Sequence, residues 1–269
     1  MTIKSESTLY KIALFEFQEN IRNRWLLIYG LAIFLFSSVI MYFGSDRPSQ
    51  AIMSLLNLIL LVVPLFSSIF GAVSFTESLP FMEIILSKNV SRRELFFGKW
   101  LGLGTGLCIS YLAAVVLSSV LFLPPMEKQL FSWALIVFSG ILLSLIFLSL
   151  SFLVSNLLNR KELIQGVILL FWFYFYILYD LILLGLAVLY RHYPLDILLL
   201  VMTFLNPLDL VRLMALLQMD LSALMGFGTA VFQKVLGNFW GIATGIMFLA
   251  LWVFIPLNAG YRTFKRREI

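Results

Sequence analysis

The chain alternates long apolar runs with short polar intervals, and the runs have the length of membrane crossings. A bilayer core about 30 Å thick needs about 20 predominantly apolar residues per helix. Runs of that size fall at residues 25–43, 52–75, 100–123, 133–155, 163–190 and 238–258, which predicts six crossings. A seventh run, 195–205, is shorter and ends at Asn206-Pro207, so it reads as a re-entrant or interfacial helix. Ahead of the first crossing, residues 5–24 carry Tyr10, Ala13, Leu14, Phe17 and Ile21 at helical spacing. Lys11, Glu16, Glu19 and Arg22 lie around the other side. This pattern predicts an amphipathic helix that lies in the membrane interface and feeds the first span. Three glutamates in that stretch, with no apolar segment before Trp25, give no expectation of a cleavable signal peptide.

Composition narrows the class further. Of the 269 residues, 61% are hydrophobic and only 12% are charged. A soluble domain carries about 25% charged residues, so a soluble enzyme is excluded. No polar stretch is long enough for a separate soluble domain, and residues 1–269 read as one all-α transmembrane domain. The single Cys108 and single His192 exclude an intrachain disulfide and a zinc site of several Cys and His ligands. Met214, Met219 and Met225 cluster near one another. Thioethers suit copper(I), but core filling is the favoured account in so apolar a chain, and no metal ligands are assigned.

Charge sets the orientation. With six spans and the N-terminus inside, 14 of the 19 Lys and Arg residues fall on the cytoplasmic side. The positive-inside rule then predicts that both termini are cytoplasmic. Two segments outside the spans are long enough to matter: 76–99 in the cytoplasm, and 191–237 on the outer side.

In the cytoplasmic segment, Phe81, Ile84 and Ile85 give a short helix an apolar face, and Asn89 is a plausible stop. Ser91 and Glu94 have the spacing of a capping box, which starts a new helix. From Arg92 to Leu123 that helix would be about 48 Å long at 1.5 Å per residue, longer than the bilayer core. A short transverse helix on such a projecting hairpin suits docking to a soluble partner, and equally suits sealing the bundle at the interface. Gly98, Gly102 and Gly106, like Gly237, Gly241 and Gly245, recur four apart. Small residues at that spacing let helices approach closely, within one subunit or at a dimer seam, and the first is favoured. Asp180 stands in the fifth span. A carboxylate at mid-membrane costs about 2.5–3.5 kcal/mol, so it faces a cavity, a conduction path or a dimer contact, or is satisfied by neighbouring side chains. The chain has no Walker A motif, since Arg93 stands where the first glycine of a P-loop is needed before Gly98-Lys99. It also lacks HExxH and GxSxG signatures, so no catalytic residue is assigned.

Glu77, Glu83-Ile84-Ile85-Leu86-Ser87, Val90-Ser91-Arg92-Arg93-Glu94 and Gly98-Lys99 together resemble the intracellular loop of ABC-2 type permeases. Leu79-Pro80 stands where that family usually has Gly-Thr, and Asn89 where it usually has Pro. Arg22 to Leu27, Tyr179 to Leu184, Leu205 to Leu213 and the basic tail Tyr261 to Arg267 resemble the NosY-type branch. The resemblance implies a six-span, type V exporter-like permease in the bacterial inner membrane, acting as a homodimer. It implies two cytoplasmic NosF-type ATPases, which carry the ATP and magnesium, and a periplasmic NosD-type β-helix protein. It implies cargo connected with the copper–sulfur centre of nitrous oxide reductase, and no nucleic-acid partner. By the same likeness, Glu77, Phe81, Glu83, Ile84, Ser91, Arg92 and Arg93 form the ATPase-coupling segment, and Asn206, Pro207, Asp209 and Arg212 contact the periplasmic partner. Two alternatives stay open at this point: an ABC-2 exporter of lipid, polysaccharide or drug, and an ATPase-independent channel or membrane enzyme.

Overall fold

The computed structural model describes residues 5–22, 24–44, 48–88, 90–122, 130–158, 160–190, 196–218 and 238–266, all in helices or their short connections. In chain order these are α1 (Ser5–Ile21), α2 (Arg24–Phe43), α3 (Pro48–Glu77), α4 (Leu79–Leu86), α5 (Arg92–Phe122) and α6 (Leu130–Leu157). Then come α7 (Lys161–Phe173), a π-helical turn (Tyr174–Leu178), α8 (Tyr179–Leu189), α9 (Asp196–Leu205), α10 (Pro207–Gln218) and α11 (Phe239–Arg266). Six of these units are long and apolar enough to cross a membrane: α2, α3, α5, α6, the continuous Lys161–Leu189 unit, and α11. They coincide with the six runs expected from the sequence. Asn89, His192, Met219, Met225 and Gly237 lie outside the described residues.

α6 is the centre of the bundle. Of its most apolar stretch 72% is buried, against 17% for Lys161–Leu189 at the periphery. α6 packs against α3 on one side and α11 on the other, while α5 packs against α1 and α2. Serines make this centre possible. Ser139, Ser144 and Ser149 donate to the carbonyls four residues earlier, at 2.8, 2.9 and 2.7 Å. Their hydroxyls are thus satisfied without a partner helix, and their small size lets neighbours close in. Trp100 of α5 adds a cross-link by donating from Nε1 to Ser149 Oγ at 3.1 Å.

The orientation of α1 differs from the sequence expectation. Glu16, assigned to the polar side, is buried, as is Asn20, while Tyr10, Leu14 and Ile21 face outward. The reason is the glycine ladder of α5. A Cβ on Gly102 would lie 2.5 Å from Glu16 Cβ and 2.7 Å from the Ala13 carbonyl oxygen. A Cβ on Gly98 would lie 2.8 Å from Ile12 Cγ2. The ladder therefore packs inside one chain, as favoured, and its partner is the N-terminal helix. The outward apolar residues then face the surroundings of the bundle.

α9 and α10 meet at an angle of 119°. Asn206 caps α10, accepting from the Leu208 N–H at 3.0 Å, and Pro207 occupies the first helical position, where its missing N–H costs nothing. Met214 is buried, with its sulfur against Gly245 of α11, which is the core-filling role favoured for it.

Candidate functional site

The hairpin between α3 and α5 is built from local sequence signals. Ser78 interrupts the helix after Glu77, and Pro80 sits in the first turn of α4. The capping box forms as expected: Glu94 N donates to Ser91 Oγ at 3.2 Å, and Ser91 N donates to Glu94 Oε2 at 3.3 Å. α5 then runs 31 residues, close to the predicted length.

α4 has two faces, divided differently from the simple apolar count. Met82 is buried, and Ile85 and Leu86 pack beside it on the core. Phe81 and Ile84 point outward, 45% and 59% exposed, with Glu83 exposed between them. The outward face is thus two large apolar side chains flanking a carboxylate. Glu77, Ser91 and Arg93 are exposed nearby in the chain. Arg92 instead turns to the end of α11, donating from Nη1 to the carbonyls of Phe264 and Lys265, both at 3.2 Å. A cation at a helix C-terminus is favourable, so Arg92 ties the hairpin to the C-terminal span.

Beneath α4 the hairpin is anchored by rings packed edge-on and at a tilt. Phe75 of α3 lies 4.8 Å from Phe152 of α6, and Phe96 of α5 lies 5.5 Å from both Phe152 and Phe264 of α11. Four spans meet here in one aromatic cluster.

The second polar feature joins residues far apart in the sequence. Arg212 Nη1 donates to Asp180 Oδ2 at 2.7 Å and to Asp209 Oδ1 at 3.3 Å. Asn206 Nδ2 donates to Asp209 Oδ2 and to the Phe175 carbonyl, each at 2.9 Å. That carbonyl belongs to the π-helical turn, which breaks the regular helical ladder and frees backbone groups for outside partners. Tyr179 adds a hydrogen bond from its hydroxyl to the Met202 carbonyl at 2.6 Å. The bent α9–α10 pair is thus latched onto the fifth span. Burial and the neighbouring Asp180 carboxylate push Asp209 up from its ordinary 3.8 to about 7.

The sequence singled out these residues, but in two separate roles. Asp180 is satisfied by a neighbouring helix, through Arg212. Asn206, Pro207 and Asp209 are buried and spend their polar groups within the chain. Of the four residues expected to meet a periplasmic partner, these three are thus turned into the chain, and Arg212 is half-buried. Sequence reasoning also missed the Lys99–Glu16 pair, although a lysine one turn inside an apolar helix signals the need for a counter-ion. Among the described residues, no group of three or more His, Cys, Asp or Glu is placed to hold a metal ion.

An all-α bundle of six candidate spans with a helical hairpin and a bent helix pair defines a polytopic membrane protein. Residues 43–269 match the family model described as ABC-2 family transporter protein, and the chain belongs to that family. It is 28% identical over 276 residues to a protein of Stutzerimonas stutzeri named "Probable ABC transporter permease protein NosY", covering 96% of this chain and 98% of that one. It is 29% identical over 278 residues to a protein of the same name from Pseudomonas aeruginosa, covering 97% and 99%.

Proposed function

We propose that this chain is the NosY-type permease subunit of an ABC transporter, acting as a homodimer in the bacterial inner membrane with both termini in the cytoplasm. Separate NosF-type ATPases bind and hydrolyse ATP with magnesium, and the chain itself performs no catalysis. The observation that carries this reading is the outward face of α4, where Phe81 and Ile84 flank Glu83 above a helix packed firmly on the core. Closure of the ATPase pair pushes on that face, and the aromatic cluster passes the displacement to α3, α5, α6 and α11. The peripheral, apolar Lys161–Leu189 unit offers surface to the second copy. The full-length likeness to two proteins named NosY supports a role in assembling the copper–sulfur centre of nitrous oxide reductase, with a periplasmic β-helix protein as the outer partner.

The test is purification of the tagged chain from its own membranes, followed by deletion of its gene. The expected result is co-purification of an ABC ATPase and, on deletion, a nitrous oxide reductase lacking its copper–sulfur centre. Purification without an ATPase overturns the permease mechanism. An intact reductase centre in the deletion strain leaves the permease standing and transfers the cargo to the exporter class.

A further inference from the structure

At the α4 end of the bundle, α1, α3, α4 and α5 surround a cavity of about 350 Å³. Lys99 is the cation on its described walls, and Glu16 neutralises it at 2.8 Å. Two further carboxylates, Glu19 and Glu77, line the same space, both on exposed residues, and leave it with a negative balance. Phe15 of α1 and Phe81 of α4 form an aromatic wall, stacked with ring centroids 6.1 Å apart and planes 25° apart. Carboxylates beside aromatic faces are the surroundings that attract an ammonium group.

A second chamber, also about 350 Å³, adjoins the first and shares Trp25, Phe70 and Val73 with it. It continues between α3 and α7, where Phe66, Ile69 and Leu169 line it, and Gln165 is its main polar side chain. Two neighbouring clefts, one charged and aromatic and the other apolar, thus lie on either side of Trp25, Phe70 and Val73. A soluble cation, or a lysine from a partner protein, would use only the first. A lipid with an anionic headgroup would meet the carboxylates of Glu19 and Glu77.

We propose that one phospholipid with an ammonium headgroup, chemically a phosphatidylethanolamine, lies across these two neighbouring clefts. The ammonium sits between Glu19 and Glu77 against the Phe15–Phe81 wall, and an acyl chain lies along Phe66, Ile69 and Leu169. Because the aromatic wall is shared by α1 and α4, the headgroup braces the short hairpin helix against the N-terminal helix. The lipid is then a structural ligand of the hairpin joint.

The experiment is native mass spectrometry of the delipidated full chain, titrated with dioleoyl-phosphatidylethanolamine or with dioleoyl-phosphatidylglycerol. The expected result is preferential retention of the ethanolamine lipid. The E19Q/E77Q double variant should weaken that lipid by about fivefold and leave the glycerol lipid unchanged, the size of two exposed ion pairs. Val73→Trp, which fills the shared wall, should weaken both lipids. Unfolding curves show that each variant is folded; should Val73→Trp fail there, the Gln variants alone decide. Equal retention of the two lipids by the wild type overturns the proposal, as does an unchanged ethanolamine preference in E19Q/E77Q. Soluble phosphoethanolamine competing as well as the whole lipid overturns the role given to the apolar chamber. The readout is lipid binding alone, so each of these outcomes leaves the permease assignment untouched.

Discussion

Lys99 of α5 and Glu16 of α1 form an ion pair at 2.8 Å with side chains only 3% and 7% exposed. Removing one member of a buried pair leaves an uncompensated charge and costs about 3–5 kcal/mol. K99M and E16L should each therefore destabilise the chain strongly. The K99M/E16L double variant should lose much less than the two singles combined. Thermal unfolding of the detergent-purified variants measures this, and additive losses would show that the pair does not hold α1 in place.

The glycines of α5 set how closely α1 can approach. Gly102→Leu should detach α1, because even a Cβ there meets Glu16 and the Ala13 carbonyl. Gly166 has nothing within 4 Å of a built Cβ. Gly166→Ala should accordingly be neutral or gain up to about 1 kcal/mol of helix propensity. Limited proteolysis of the N-terminal helix discriminates the two, and equal protease resistance in both variants would contradict the packing described.

The outward face of α4 should be needed for coupling and dispensable for folding. Ile84→Ala and Glu83→Arg change exposed side chains, so unfolding temperatures should stay near wild type, since surface changes of this kind fall within about 0.5 kcal/mol. ATPase co-purification or ATP turnover should fall in both. Unchanged assembly and turnover would remove α4 as the coupling element.

The Asp180–Arg212–Asp209 latch should respond to pH. The folded state holds the Asp209 proton more tightly than the unfolded chain does, because its value is raised to about 7. Its contribution is therefore fully present at low pH and is lost as pH rises from about 4 through about 7. Asp209→Asn, which mimics the protonated acid, should flatten this part of the pH–stability profile. A profile still falling with the same slope in the variant would place the titration elsewhere. Arg212→Ala, which leaves Asp180 and Asp209 facing each other without a cation, should lower stability most at high pH.

Much of the fold was legible because its signals are local. Six apolar runs of crossing length, the Ser91–Glu94 box and the Asn206-Pro207 break each act within a few residues, and each is found where the pattern places it. Glu16 was not legible. By periodicity it belongs to a polar face, and only the approach of α5, allowed by Gly98 and Gly102, turns that face inward. The split of α4 has the same origin: Phe81, Ile84 and Ile85 look alike in the sequence, and the neighbouring spans decide which of them is covered.

The sequence by itself determined that this chain is a bundle of apolar helices, which stretches of the chain cross, and that its charged hairpin resembles that of ABC-2 permeases. Tertiary structure alone decided that Asp180 finds Arg212 across 32 positions of chain and that Lys99 finds Glu16 across 83. The physical reason is that bilayer-length runs and caps are properties of a segment and its solvent, whereas a buried charge is settled by whichever helix the packing brings beside it.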